Sequence, residues 1–284
     1  MFNGEKGLVI AGLIGFLLAA LTGSAILIRG PIVLPEGDLG NAFSFNAAIG
    51  IFILSIAAVL PLAGFSHRKR RTVRWLFIFS SLYAYAIETI QHFRGLNPRF
   101  SREGGAVDAI AGMAFGVVSL LLVTLCVLLL IQFFKVSHRP LLILGIRYAF
   151  LSVFAANLAG VGMALLQSRF VGGAGNLIVL HGMGFHALQT LIVSGWLLEK
   201  VKGRDHLKKR LIHGGSIAWM LAILLIGVQT VLGRPVFELS LLPILAGLLV
   251  IAWLATVCAA FVLFLNAGED PRADATKIME KPVT

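Results

Sequence analysis

The stretch GLVIAGLIGFLLAALTGSAIL, residues 7–27, runs without a single charge. Wound as a helix it reaches about 30 Å, the thickness of a bilayer's hydrocarbon core. Its apolar residues are continuous, not alternating, so it reads as a helix and not as a barrel strand. It is longer than the apolar core of a signal peptide, about 7–15 residues, and no small-x-small cleavage site follows it. We therefore read it as a retained first span.

Working outward, runs of the same kind recur along the chain. Spans are expected at 7–28, 44–65, 73–93, 108–134, 141–166, 176–198, 212–233 and 240–265. The fold class that follows is all-α, a polytopic membrane helix bundle of about eight transmembrane helices. Residues 1–266 form the bundle, with halves at 1–140 and 141–266. The polar segment 267–284, with Pro271 and Pro282, reads as a disordered cytoplasmic tail.

Composition agrees. The 284 residues are 58% hydrophobic and only 13% charged, against about 25% charged in a soluble domain. The net charge of +11 does not point to nucleic acid, because the basic residues sit in short clusters between apolar runs and form no reading motif. Cys126 and Cys258 lie inside apolar runs, too far apart for a metal spacing.

The clusters carry orientation instead. Of the 24 Lys and Arg residues, 18 fall on the side that holds Lys6, Arg68–Arg71, Lys208–Arg210 and the C-terminal tail; 6 fall on the other. The positive-inside rule places the first side in the cytoplasm, with both termini. The lipid bilayer is the one partner this guarantees.

A weak internal repeat is visible at an offset of 140 residues. It sets Arg29 against Arg169 and lays NAFSFNA, residues 41–47, over HGMGFHA, residues 181–187, so that Asn46 answers His186. Four spans per half would give a parallel repeat.

Ionisable side chains inside a membrane are costly and mark function. Glu88 is the first candidate, as the reacting group, and is read as the deepest carboxylate. Ser81, Tyr85, Glu88 and His92 follow a helical spacing that puts them on one face. Glu88 and His92 could hydrogen-bond or share an ion. The sixth span adds His181, His186 and Gln189, with Gly182 and Gly184 open to close approach. Glu88, His92, His181 and His186 are therefore the candidate metal ligands, and haem b or a transition-metal ion the candidate cofactors. Arg94 and Arg99, in the polar loop after the third span, would suit an anionic cofactor or substrate; the alternative is a turn whose arginines pair with Glu103 and Asp108. Gly112 and Gly116 read as a helix-packing motif. The other histidines, His213 among them, read as solvated.

The segment HGMGFHALQ, residues 181–189, resembles one in uncharacterised bacterial multi-pass inner-membrane proteins. That resemblance implies a bacterial inner membrane and no activity. The paired four-helix layout also resembles the haem A synthase family. Asn41 and Asn46 stand where that family's second-span histidines would be, so its activity is not implied.

Three functions are compatible with these residues: a membrane redox protein holding haem or metal, a proton-coupled transporter or channel, and a non-catalytic assembly or sensor subunit. The topology is testable directly. Reporter fusions after Arg71, Lys209 and Thr284 are expected to report cytoplasm, and fusions near Asp38, Arg102, Gly173 and Phe237 the outside. A cytoplasmic signal at Arg102 would overturn the assignment.

Overall fold

The computed structural model describes residues 4–268. Eight long helices occupy most of them, in the order α1 (Lys6–Arg29), α2 (Leu39–Val59), α3 (His67–Phe93), α4 (Ala106–Lys135), α5 (Pro140–Leu166), α6 (Leu177–Glu199), α7 (Asp205–Val231) and α8 (Leu241–Gly268). Seven are long and apolar enough to cross a membrane. The eighth, α3, is 27 residues long but opens on a basic run and buries a polar stripe. The chain is thus a multi-pass, membrane-type all-α bundle. Ala267 and Gly268 belong to α8, and the rest of the expected tail lies outside the described residues.

Two compact units are formed. Among the described residues, one comprises 4–136 and 153–169, the other 137–152 and 170–268.

In the first unit, α1 buries Leu8, Ala11, Gly12, Gly15, Ala19 and Thr22, one face at three- and four-residue steps. Its other face leaves Leu13, Leu17 and Leu21 uncovered, as suits a lipid-facing surface. The helices α1 and α2 meet through glycine. A Cβ on Gly12 would stand 3.0 Å from the Gly50 carbonyl, and one on Gly15 would stand 2.8 Å from the Asn46 carbonyl. Backbones come this close in membranes because small residues permit it. The same device joins α5 to α6 in the second unit, where Gly145 faces the Leu191 carbonyl and Gly195 the Leu141 carbonyl. The expected Gly112/Gly116 motif packs no helix. Gly112 lies under the Pro98 and Arg99 carbonyls of a loop, and Gly116 and Gly182 have nothing within 4 Å among the described residues.

Charges at the basic end are less solvated than their clustering suggests. Glu5 is fully buried and takes the Arg70 and Arg74 guanidiniums, each through Nε at 2.6 Å. Glu88 is therefore not the only deep carboxylate; the N-terminal position of Glu5 hid a contact that only folding makes. Lys208 is also buried, its ammonium donating to the Val201 carbonyl at 2.9 Å and pairing with Asp205 at 2.7 Å.

Each unit contains a two-stranded hairpin. In the first, β1 (Ile32–Val33) pairs antiparallel with β2 (Gly37–Asp38); in the second, β3 (Phe170–Val171) pairs with β4 (Gly175–Asn176). The registers match with an offset of 138 residues, from Ile32 to Phe170 and from Gly37 to Gly175. Asp38 and Asn176 then cap α2 and α6, each accepting from the amide two residues on. At that same offset, α3 and α7 end alike. The Gly95 amide donates to the His92 carbonyl and the Leu96 amide to that of Gln91; the Gly233 amide donates to Thr230 and the Arg234 amide to Gln229. Gly95 and Gly233 both have positive φ, 77° and 71°, as this helix-ending turn requires. Each hairpin hydrogen-bonds to that turn, through Glu36 N–H to the Gly95 carbonyl and Ala174 N–H to the Gly233 carbonyl.

These matches replace the offset of 140. Asn46 corresponds to Gly184, not His186. Apolar letters align almost as well two residues apart, whereas caps and turns tolerate no slip.

Gly37 and Gly175 let each hairpin lie on its helix end. A Cβ at Gly37 would sit 2.5 Å from the His92 carbonyl and 2.8 Å from Gly95 Cα; at Gly175 it would meet the Thr230 carbonyl and come 3.1 Å from Gly233 Cα. Gly37→Ala and Gly175→Ala are each expected to cost about 1–3 kcal/mol. Gly182→Ala, with open space around it, should be neutral or slightly stabilising. Thermal melting in detergent reads all three, and a Gly37→Ala protein melting with the wild type would refute the docking role.

Candidate functional site

The polar residues of the first unit converge where α3 ends, beneath its hairpin. The expected face of α3 is buried throughout: Ser81 is 0% exposed, Tyr85 1%, Glu88 1% and His92 2%. Apolar positions Val73, Phe77 and Ala84 continue the stripe. The helix thus turns its polar groups inward and leaves Phe79 and Ile90 exposed.

Glu88 is held from two sides. Arg99 Nη2 donates to Oε2 at 2.8 Å, and His92 Nε2 stands 3.4 Å from Oε1. The second contact has ion-pair distance without hydrogen-bond alignment, since His92 Nε2 has no hydrogen-bond partner among the described residues. Arg99 reaches Glu88 from the loop between α3 and α4, with 35% of its side chain still exposed. Its guanidinium lies over the rings of Phe45 and Phe115, at 5.3 and 5.0 Å from their centroids. Such a cation over ring faces is stabilised without losing its charge.

The loop that delivers Arg99 is itself built. Asn97 Oδ1 accepts from the amides of Arg99 and Phe100, both at 3.0 Å. Glu36, from the hairpin, accepts from the Asn97 and Arg102 amides and from the Ser101 hydroxyl at 2.5 Å. Arg94 does not turn to Glu88. It pairs with Asp108 at 2.5 Å, and Gln91 bridges the two. Of the two readings of the arginine loop, Arg94 follows the turn reading by pairing with Asp108, whereas Arg99 follows neither and pairs with Glu88.

His92 is oriented by the hairpin. The Asp38 backbone N–H donates to Nδ1 at 3.1 Å. A ring nitrogen that accepts has no proton, so the neutral ring carries its proton on Nε2, facing Glu88. Neither nitrogen then has a spare lone pair for a metal.

Sequence reasoning missed Asn46 and its partner Thr89 as participants. Asn46 of α2 is fully buried and donates through Nδ2 to Thr89 Oγ1 at 2.9 Å. Its Oδ1 has no partner among the described residues, nor has the Tyr85 hydroxyl, which lies against Gly15. The cost of burying an unsatisfied polar group is about 1–3 kcal/mol each. Asn46 was legible as a polar residue in an apolar run, but the alignment had spent it on His186.

His181, His186 and Gln189 all lie on α6, in the second unit. His181 packs its ring on Phe185, centroids 4.9 Å apart. His186 is exposed, with Nδ1 3.3 Å from Gln189 Oε1. Among the described residues no group of three or more His, Cys, Asp or Glu stands close enough to hold a metal ion. The second unit repeats the clasp but not the site. Gln229, the counterpart of Gln91, donates to Glu238 at 2.7 Å, whereas Ile226 and Thr230 stand where the first unit has Glu88 and His92. His213 is not merely solvated: its Nδ1 lies 2.9 Å from the Tyr148 hydroxyl.

With this geometry in hand, comparison with protein-family models, curated proteins and solved structures found no match.

The Ser101 hydroxyl, then the Arg102 amide, hold the Glu36 carboxyl below its ordinary value of 4.5. A lowered folded value contributes stability above the ordinary value, lost as pH falls through the folded one. Glu36→Gln is therefore expected to lower the melting temperature at neutral pH, with the gap to wild type closing in acid below about 4.5. A gap that does not change with pH would count against the role of this carboxylate in holding the loop.

Proposed function

We propose that the first unit handles protons, as part of a proton-coupled transporter or channel, with Glu88 the group that takes up and releases the proton. The observation that carries this reading is a carboxylate, 1% exposed in a membrane-type bundle, whose strongest partner is an arginine on a solvent-reaching loop. A buried charge with a single, partly exposed counter-charge is strongly destabilised when that partner leaves. Taking a proton relieves it. The Nε2–H of His92 is the nearest second group on the proton's way; Tyr85, about one turn before Glu88 on α3, offers an unpaired hydroxyl, and Asn46, bonded to Thr89, an unpaired amide oxygen. The expected haem b or metal centre draws less support, because the lone pair of His92 is used by the Asp38 amide. With the basic excess taken as cytoplasmic, the hairpin end faces outward, from the inner membrane of a bacterium.

The test is proton flux into vesicles containing the purified protein and a pH-sensitive dye, driven by a potassium diffusion potential. Wild type should acidify or alkalinise the lumen faster than empty vesicles. Glu88→Gln should reduce that rate at least about tenfold, a change of about 1.4 kcal/mol in barrier, while the protein still folds. Flux equal in wild type and Glu88→Gln would refute the reading. A Soret band in the purified protein, removed by His→Ala at a ligand, would replace it with the haem reading.

A further inference from the structure

The first unit has one apolar crevice that the proton site does not use. It lies between α1 and α3, has a volume of about 230 Å³, and is lined by Leu18, Leu21, Thr22, Thr89, Ile90 and Phe93. The two threonines do not make it polar. The Thr22 hydroxyl donates to the Leu18 carbonyl at 2.8 Å, and the Thr89 hydroxyl accepts from Asn46 at 2.9 Å. Both hydroxyls are engaged within the protein, and only hydrocarbon faces the crevice.

At its mouth stands a cation. The Arg29 guanidinium lies 4.8 Å from the centroid of the Phe93 ring, and Phe93 is one wall. Among the described residues Arg29 forms no ion pair with a carboxylate. From Arg29 back to Leu18 the helix runs about 16 Å. One leaflet of hydrocarbon is about 15 Å thick, half of the core. On the same turn of α1 as Arg29, Leu27 and Ile28 are 90% and 86% exposed, an apolar surface at the headgroup level.

We infer that this crevice binds one acyl chain of an anionic phospholipid, with the headgroup phosphate on Arg29. Length, apolar lining and a cation at the headgroup level meet in one place. A soluble anion would use the cation and ignore the crevice. A zwitterionic lipid would use the crevice, but its phosphate is already offset by its own cationic headgroup and gains less from Arg29. Only an anionic lipid answers both.

The full chain in detergent is titrated with phosphatidylglycerol and, separately, with phosphatidylcholine of the same acyl chains, and bound lipid is counted by native mass spectrometry. Phosphatidylglycerol should be retained about fivefold better, the order expected of one basic side chain at an anionic surface. Arg29→Gln, a change at an exposed residue, should remove that preference and leave phosphatidylcholine retention unchanged. Leu18→Trp, which fills the crevice, should lower retention of both lipids about tenfold, whereas Leu248→Trp on the exposed face of α8 should not. Excess inorganic phosphate should not displace the lipid. Retention unaffected by Leu18→Trp, in a protein that melts like wild type, would overturn the crevice. Displacement by phosphate alone would reduce the site to Arg29. A lipid-free dimer lost with Leu18→Trp would assign the surface to a second copy of the chain.

Discussion

A hairpin can rest on the end of a helix only where neither backbone carries a side chain at the contact. That constraint organises both units. Gly37 lies against Gly95, and Gly175 against Gly233. The turn that ends α3 needs positive φ at Gly95, and the one that ends α7 needs it at Gly233. Once the hairpin is seated, one of its amides donates to the turn, Glu36 to Gly95 and Ala174 to Gly233, and the next helix starts from its last residue. The first-unit site depends on the same seat. The Asp38 amide that caps the arrangement also fixes the ring of His92, and the Glu36 side chain on the same hairpin folds the loop that brings Arg99 to Glu88.

Electrostatics gives the first unit three clasps. Glu5 ties the start of α1 to α3 through Arg70 and Arg74 at the basic end. Glu88 and Arg99 sit at the hairpin end. Asp108, Gln91 and Arg94 lock the start of α4 to the end of α3. Clasps of this kind are strongly destabilising when half removed. Glu5 is held by two arginines and is well compensated. Glu88 has one partly exposed arginine and a neutral histidine, and is the less securely held carboxylate. That asymmetry is why one buried glutamate reads as a fastening and the other as a working group.

The two units share their scaffold and differ in their chemistry. Equivalent positions keep the capping residue, the seat glycine, the turn and the glutamine that holds a carboxylate. Ile226 and Thr230 have no acid–base capacity at the positions of Glu88 and His92. On α6 of the second unit His186 is exposed. The frame is thus repeated, while the buried acid–base pair stands in the first unit.

The sequence by itself determined the helices. Long uncharged runs can satisfy their backbones in hydrocarbon in one way only, and the helix limits fall within a few residues of those expected for five of the eight; α3 and α7 start earlier, in their basic segments, and α2 starts and ends earlier, set by its Asp38 cap. The shared face of Ser81, Tyr85, Glu88 and His92 was equally legible, because a helical period is local. What only tertiary structure decided was every contact between residues far apart in the chain: Arg70 and Arg74 on Glu5, Arg99 rather than Arg94 on Glu88, Asn46 on Thr89, Asp38 on His92. The repeat shows the boundary most clearly. The letter matches at an offset of 140 did not identify it, since apolar side chains that face lipid accept almost any alignment. Backbone hydrogen bonds and glycine contacts are specific to one residue, and they alone set the register.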